Sequence, residues 1–137
     1  MSRTTLTNSD DQRVYVDEGE SCDIVATFID LTGASIDKAS ILTLTANLLH
    51  VAADATTTTI NNRSSQSVLD ANGGTISSAG VLTLRLQPED NPIVGTVAEN
   101  SIESHYLTLV WTWNDGTLTR TGKQEFEIQV RSLAEAA

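Results

Sequence analysis

From His105 to Val130 the chain alternates apolar and polar residues at a period of two, on both sides of a tight turn. His105, Leu107, Leu109, Trp111 and Trp113 fall on one side, and Tyr106, Thr108, Val110 and Thr112 on the other. The return run places Gln124, Phe126, Ile128 and Val130 opposite Glu125, Glu127, Gln129 and Arg131. Asn114-Asp115-Gly116 between the two runs is a hairpin turn sequence. Successive side chains of a strand point to opposite faces, so this pattern predicts an antiparallel pair with one buried face. A slip of one residue would expose Phe126 and Ile128, which pins the register.

The same period recurs upstream. Arg13–Gly19 and Ser21–Asp30 read as strands, with Cys22, Ile24, Ala26 and Phe28 sharing a side. Ser40–Ala52 has helical features in Leu48, Leu49 and Ala52. The alternation of Leu42, Leu44, Ala46 and Leu48 with Thr43, Thr45 and Asn47 decides for a strand. Ala55–Asn62 reads as an exposed or edge strand. Ser64–Gly80 is a polar connection bent at Asn72-Gly73-Gly74. In Val81–Leu86, Leu82, Leu84 and Leu86 face inward while Thr83 and Arg85 face outward, and Pro88 ends the run. Pro88–His105 is irregular and reads as a crossing between sheets.

About seven or eight short strands in 137 residues predict one all-β domain, an immunoglobulin-like antiparallel sandwich. A jelly roll or barrel is the alternative. The absence of a Cys-Trp-Cys pattern argues against an antibody-type bridge between the sheets. Residues 1–11 read as a flexible N-terminal arm, 12–132 as the sandwich and 133–137 as a tail. Aromatics are only 4% of the chain, so Leu, Ile, Val and Ala must fill most of the core.

Charge narrows the function. Eight Lys and Arg against eighteen Asp and Glu give a formal net charge of -10. That balance repels polyanions and argues against nucleic acid or an anionic membrane surface as partner. No run approaches the roughly 20 apolar residues a spanning helix needs. The start, Met1 to Gln12, has no apolar h-region of the secretory kind. Cys22 is the only cysteine and alternates into the core side, between Glu20 and Asp23, which disfavours a reactive thiolate. These features fit a soluble protein made in a reducing cytoplasm.

No catalytic constellation emerges. His50 and His105 are the only histidines, distant in sequence, and with one Cys they match a four-ligand zinc site poorly. No G-x-S-x-G elbow presents a nucleophilic serine. The carboxylate pairs at Asp10-Asp11, Asp17-Glu18-Glu20 and Glu89-Asp90 lack the aromatics of a sugar groove and read as solvated turns. The Asp70 segment has one carboxylate where a calcium loop needs several. Asn72-Gly73-Gly74 precedes no Lys-Ser/Thr pair and opens no helix, unlike a phosphate loop. The reading is therefore no enzyme, no cofactor and no metal. Arg13, Asn62, Arg63 and Trp113 are candidate protein-interface residues. For Trp113 core packing is the competing reading.

The order of segments carries a resemblance. The opening Val16–Asp37, the pieces "NNR", "VLDANGG" and "LQPEDN", and a His-x-Leu-x-Leu-x-Trp-x-Trp strand before a Gly-Lys-Gln-Glu return strand follow one another in that order. They resemble small virion-structural proteins of tailed bacteriophages, over most of the chain after the arm. The resemblance implies a virion component, assembled in the host cytoplasm, that contacts the major capsid protein or other virion subunits as a homo-oligomer. A capsid decoration or cement protein is the leading expectation. A tail, baseplate or head–tail junction subunit comes next, and a host- or carbohydrate-binding module after that. No catalytic residues come with the resemblance.

Overall fold

The computed structural model describes residues 2–7, 13–30, 32–95 and 97–133, the first of these segments by its backbone only. The remainder of the arm expected over 1–11 and nearly all of the expected tail lie outside the described residues.

The fold is an all-β sandwich of two sheets. Its strands are β1 (Ser2–Thr7), β2 (Arg13–Asp17), β3 (Cys22–Thr27), β4 (Ile41–Val51), β5 (Thr57–Thr59), β6 (Gln66–Ser67), β7 (Gly74–Ile76), β8 (Val81–Leu86), β9 (Ile102–Asn114) and β10 (Thr119–Arg131). One sheet runs β1-β3-β8-β7 and the other β2-β10-β9-β4-β5, with β6 also paired to β4. This is the layering expected of an immunoglobulin-like sandwich. The count reaches ten because Ser2–Thr7, expected as an arm, forms β1 and the polar connection contributes the short strands β6 and β7.

Two pairings are parallel, and both involve the N-terminal segment: β1 with β3, and β2 with β10. Ser2–Thr7, inside the segment expected as an arm, thus lies on the edge of the first sheet. The other ladders are antiparallel. The β9–β10 hairpin is in register from Asn114↔Thr119 to Ile102↔Arg131. Its turn is closed by Asp115 N–H to the Leu118 carbonyl, with Gly116 at a φ of 98° that a side chain would resist.

The core lies between the sheets. Ile24, Leu82, Leu84 and Leu86 from one meet Leu48, Leu107, Leu109, Phe126 and Ile128 from the other, all fully buried. Phe28 packs on Trp111 with ring centroids 4.7 Å apart. Trp113 is buried too, so the core reading holds for both tryptophans. Cys22 is buried as expected. Burial pushes its thiol up to about 11, against a hydrogen bond from Asn91.

Strand β4 departs from the expected alternation. Leu42 is 49% exposed, whereas Ile41 is buried. Trp113 pairs with Ile41 and Thr112 with Thr43, so Leu42 is the extra residue of a bulge. A bulge puts two residues opposite one and shifts the facing by one position. Alternation resumes at Leu44, Ala46 and Leu48.

Candidate functional site

Two polar nodes stand out among the buried residues. The first gathers residues from three loops. Asn61 and Asn62 both take positive φ, 52° and 58°, a region Asn tolerates better than most residues. The chain reverses there and Arg63 turns inward. Its Nε donates to Asp90 Oδ1 at 2.7 Å and one terminal nitrogen to Asp90 Oδ2 at 3.1 Å. The other terminal nitrogen donates to Gln66 Oε1 at 2.9 Å and to the Asn72 carbonyl at 3.0 Å. Asp90 also accepts from Asn61 Nδ2 and from the Gln87 backbone N–H. The side chains of Arg63 and Asp90 are 5% and 0% exposed. Asn91, next in sequence, donates to the Glu20 carbonyl and accepts from the Gly19 N–H.

This node uses pieces of "NNR", "VLDANGG" and "LQPEDN", the segments that carry the sequence resemblance. They converge inside one chain, where they hold loops together. Of the four residues singled out as interface candidates, Arg63 and Trp113 are thus buried within this chain. Asn62 is exposed at the turn. Arg13 lies on β2 with its side chain half exposed, 3.4 Å from Glu127.

The second node was not foreseen. His50 on β4 and His105 on β9 are direct cross-strand partners. Glu103, two residues before His105 on the same face, is also buried. His105 Nε2 lies 2.5 Å from Glu103 Oε1, and His50 Nδ1 lies 3.6 Å from the same oxygen. The Val94 and Gly95 backbone N–H groups donate to Oε1 and Oε2 at 2.8 and 2.7 Å. Gly95 matters here because a Cβ at that position would lie 3.1 Å from Glu103 Oε2 and 3.4 Å from His50 Nε2.

The protonation pattern follows from these contacts. Burial works against the Glu103 carboxylate, but the hydrogen bonds from His105, Val94 and Gly95 prevail and hold its pKa below the usual range. Burial lowers His105 more than the Glu103 carboxylate raises it. A neutral His105 donating from Nε2 to an ionised Glu103 satisfies both. Its Nδ1 then has no partner, and neither does the buried Nδ1 of His50. One coordinating atom from each of the three residues lies within 4.8 Å of the other two. A cleft of about 350 Å³, lined by His50, Gly95, Val97, Ile102, Glu103 and Tyr106 among others, opens beside them. The only sequence signal was indirect: "LLHV" and "SHYL" become neighbours once β4 is paired with β9.

On the outer face of the second sheet, Tyr15 of β2 is 56% exposed and Ile102 of β9 is 47% exposed. Both line a shallow cleft with Val16, Gln129 and Arg131. Strand β2 is the edge of that sheet. Among the described residues no helix is long and apolar enough to cross a membrane.

No family model matches the chain, and no curated protein does. Among solved structures, the N-terminal domain of phage TP901-1 ORF48 aligns over 97% of this chain and 99% of that chain, with a TM-score of 0.40 and 10% identity.

Proposed function

We propose that this chain is a structural subunit of a tailed-phage particle, and specifically a capsid decoration protein that bridges neighbouring shell subunits. The observation that carries the reading is the cleft lined by exposed Tyr15 on edge strand β2 and exposed Ile102 on β9, with β10 between them. Exposed apolar side chains lining one cleft beside a sheet edge offer surface that a partner can cover. The sequence resemblance to virion proteins supports the same reading.

The working chemistry is burial rather than reaction. A standard interface buries roughly 800 Å² on each partner, and its apolar part contributes about 25 cal/mol per Å² before ordering costs. With a net charge of -10 the solvent-facing surfaces repel one another, which keeps many displayed copies from aggregating. Ser2–Thr7 pairs with β3 of its own chain, so bridging by this segment would exchange that pairing between copies or extend from its outer edge.

The test adds purified protein to expanded shells that lack it. Saturable binding at hundreds of copies and a higher shell melting temperature are expected. Tyr15→Asp and Ile102→Asp, both at exposed positions, should weaken binding at least tenfold while leaving the circular dichroism spectrum unchanged. Binding in copy numbers of three or six per particle would move the protein to a tail or junction ring. Glycan binding without any effect on shells would replace the proposal with a receptor-binding module.

A further inference from the structure

We propose that His50, Glu103 and His105 form a site for one divalent transition-metal ion of the zinc type. The ligands are His50 Nδ1, Glu103 Oε1 and His105 Nε2, and the fourth position faces the adjoining cleft.

The donor set decides the class of ion. Two imidazoles and a carboxylate suit zinc and its neighbours, whereas calcium and magnesium take mainly oxygen. Three protein ligands with an open fourth position is an established zinc arrangement. The geometry is close to what that ion needs. Metal–ligand bonds of about 2.0–2.2 Å in a tetrahedron set the ligand atoms roughly 3.4 Å apart. His50 Nδ1 and Glu103 Oε1 already lie 3.6 Å apart, too far for a hydrogen bond. The Glu103–His105 contact of 2.5 Å must open by about 1 Å, and all three ligand atoms already lie within 4.8 Å of one another.

Two further observations point to a ligand. The His50 Nδ1 is a buried polar atom with no hydrogen-bond partner, aimed at the carboxylate. Buried nitrogen left in that state carries a desolvation cost that coordination removes. The carboxylate, in turn, is oriented by the Val94 and Gly95 N–H groups, the outer-shell support that metal-binding carboxylates depend on. On coordination the His105 proton moves from Nε2 to Nδ1, and charge balance is kept by the ionised Glu103. The ion would tie β4, β9 and the 94–95 segment at one point, so its role is to fix the crossing between the sheets.

The experiment uses untagged full-length protein stripped with a chelator. Zinc chloride is titrated by calorimetry and cobalt(II) by visible absorption. We expect one equivalent to bind, the cobalt form to show the intense bands of a tetrahedral ion, and the melting temperature to climb with free zinc. In nitrogen-15 spectra His105 should change tautomer. His50→Gln, at a partly exposed ring, should weaken binding at least 100-fold while the metal-free melting temperature stays near that of the parent. Glu89→Gln, an exposed carboxylate elsewhere, should change nothing. No saturable binding would overturn the proposal. Binding of several equivalents that His50→Gln leaves intact would also overturn it, as attraction to the acidic surface.

Discussion

Replacing Arg63 with methionine isolates the energetics of the first polar node. Methionine keeps much of the side chain's length and apolar stem but removes every donor. Asp90 would then stay buried with only Asn61 and the Gln87 N–H as partners. Gln66 and the Asn72 carbonyl would lose their donor as well. Breaking a buried ion pair from one side costs about 3–5 kcal/mol, because the surviving charge has no counterion. For a domain of this size that is a fall of about 10–20 °C in melting temperature. Urea unfolding followed by tryptophan fluorescence gives the value, since Trp111 and Trp113 are both in the core. Asp90→Asn completes the cycle, and the double variant should lose clearly less than the sum of the singles. A loss below about 1 kcal/mol, the value of a solvent-exposed pair, would refute the claim that this node pins the loops.

Two other expectations follow from close contacts and charge. At Gly122 a Cβ would sit 2.5 Å from the Trp111 ring, so Gly122→Val should displace that indole, shift its fluorescence and destabilise by about 1–3 kcal/mol; an unchanged emission spectrum would count against the packing described. The Asp115 carboxylate accepts from the Leu118 N–H, from Arg120 and from the Thr117 N–H, and its pKa is lowered to about 2. A depressed acid stabilises the fold above its unfolded pKa of about 3.9 and loses that contribution as pH falls through the folded value. Protection of the Thr117 and Leu118 amides, measured relative to the intrinsic exchange rate at each pH, should therefore fall between about pH 4 and 2, and Asp115→Asn should remove most of that pH dependence.

In β8 and β10, each with one face buried, the alternation placed the core residues correctly. Leu82, Leu84, Leu86, Phe126 and Ile128 all lie where a period of two puts them. Leu42 broke the pattern because a bulge is a local two-against-one mismatch with no sequence mark of its own. The parallel docking of β2 on β10 joins residues more than a hundred positions apart, and local pattern carries no information at that range. The same holds for the polar nodes. Arg63 looked like a surface cation because its partner Asp90 is 27 positions away, hidden among turn-forming carboxylates. His50 and His105 looked unrelated until the β4–β9 register placed them opposite one another. Their chemistry depends on register, which no single strand reveals.

The union of β2 with β10 also bears on how the molecule is made. Val14 and Val16 meet Ile128 and Val130, so β2 must wait for a strand more than a hundred positions later before that ladder can close. During translation the C-terminal strand is still inside the ribosome when the first strands emerge. The domain should therefore complete folding only once β10 has emerged, slowly for its size, as closures across long sequence separations require. A polypeptide stopped before β10 would leave an open, apolar-sided seam along β2 and β9.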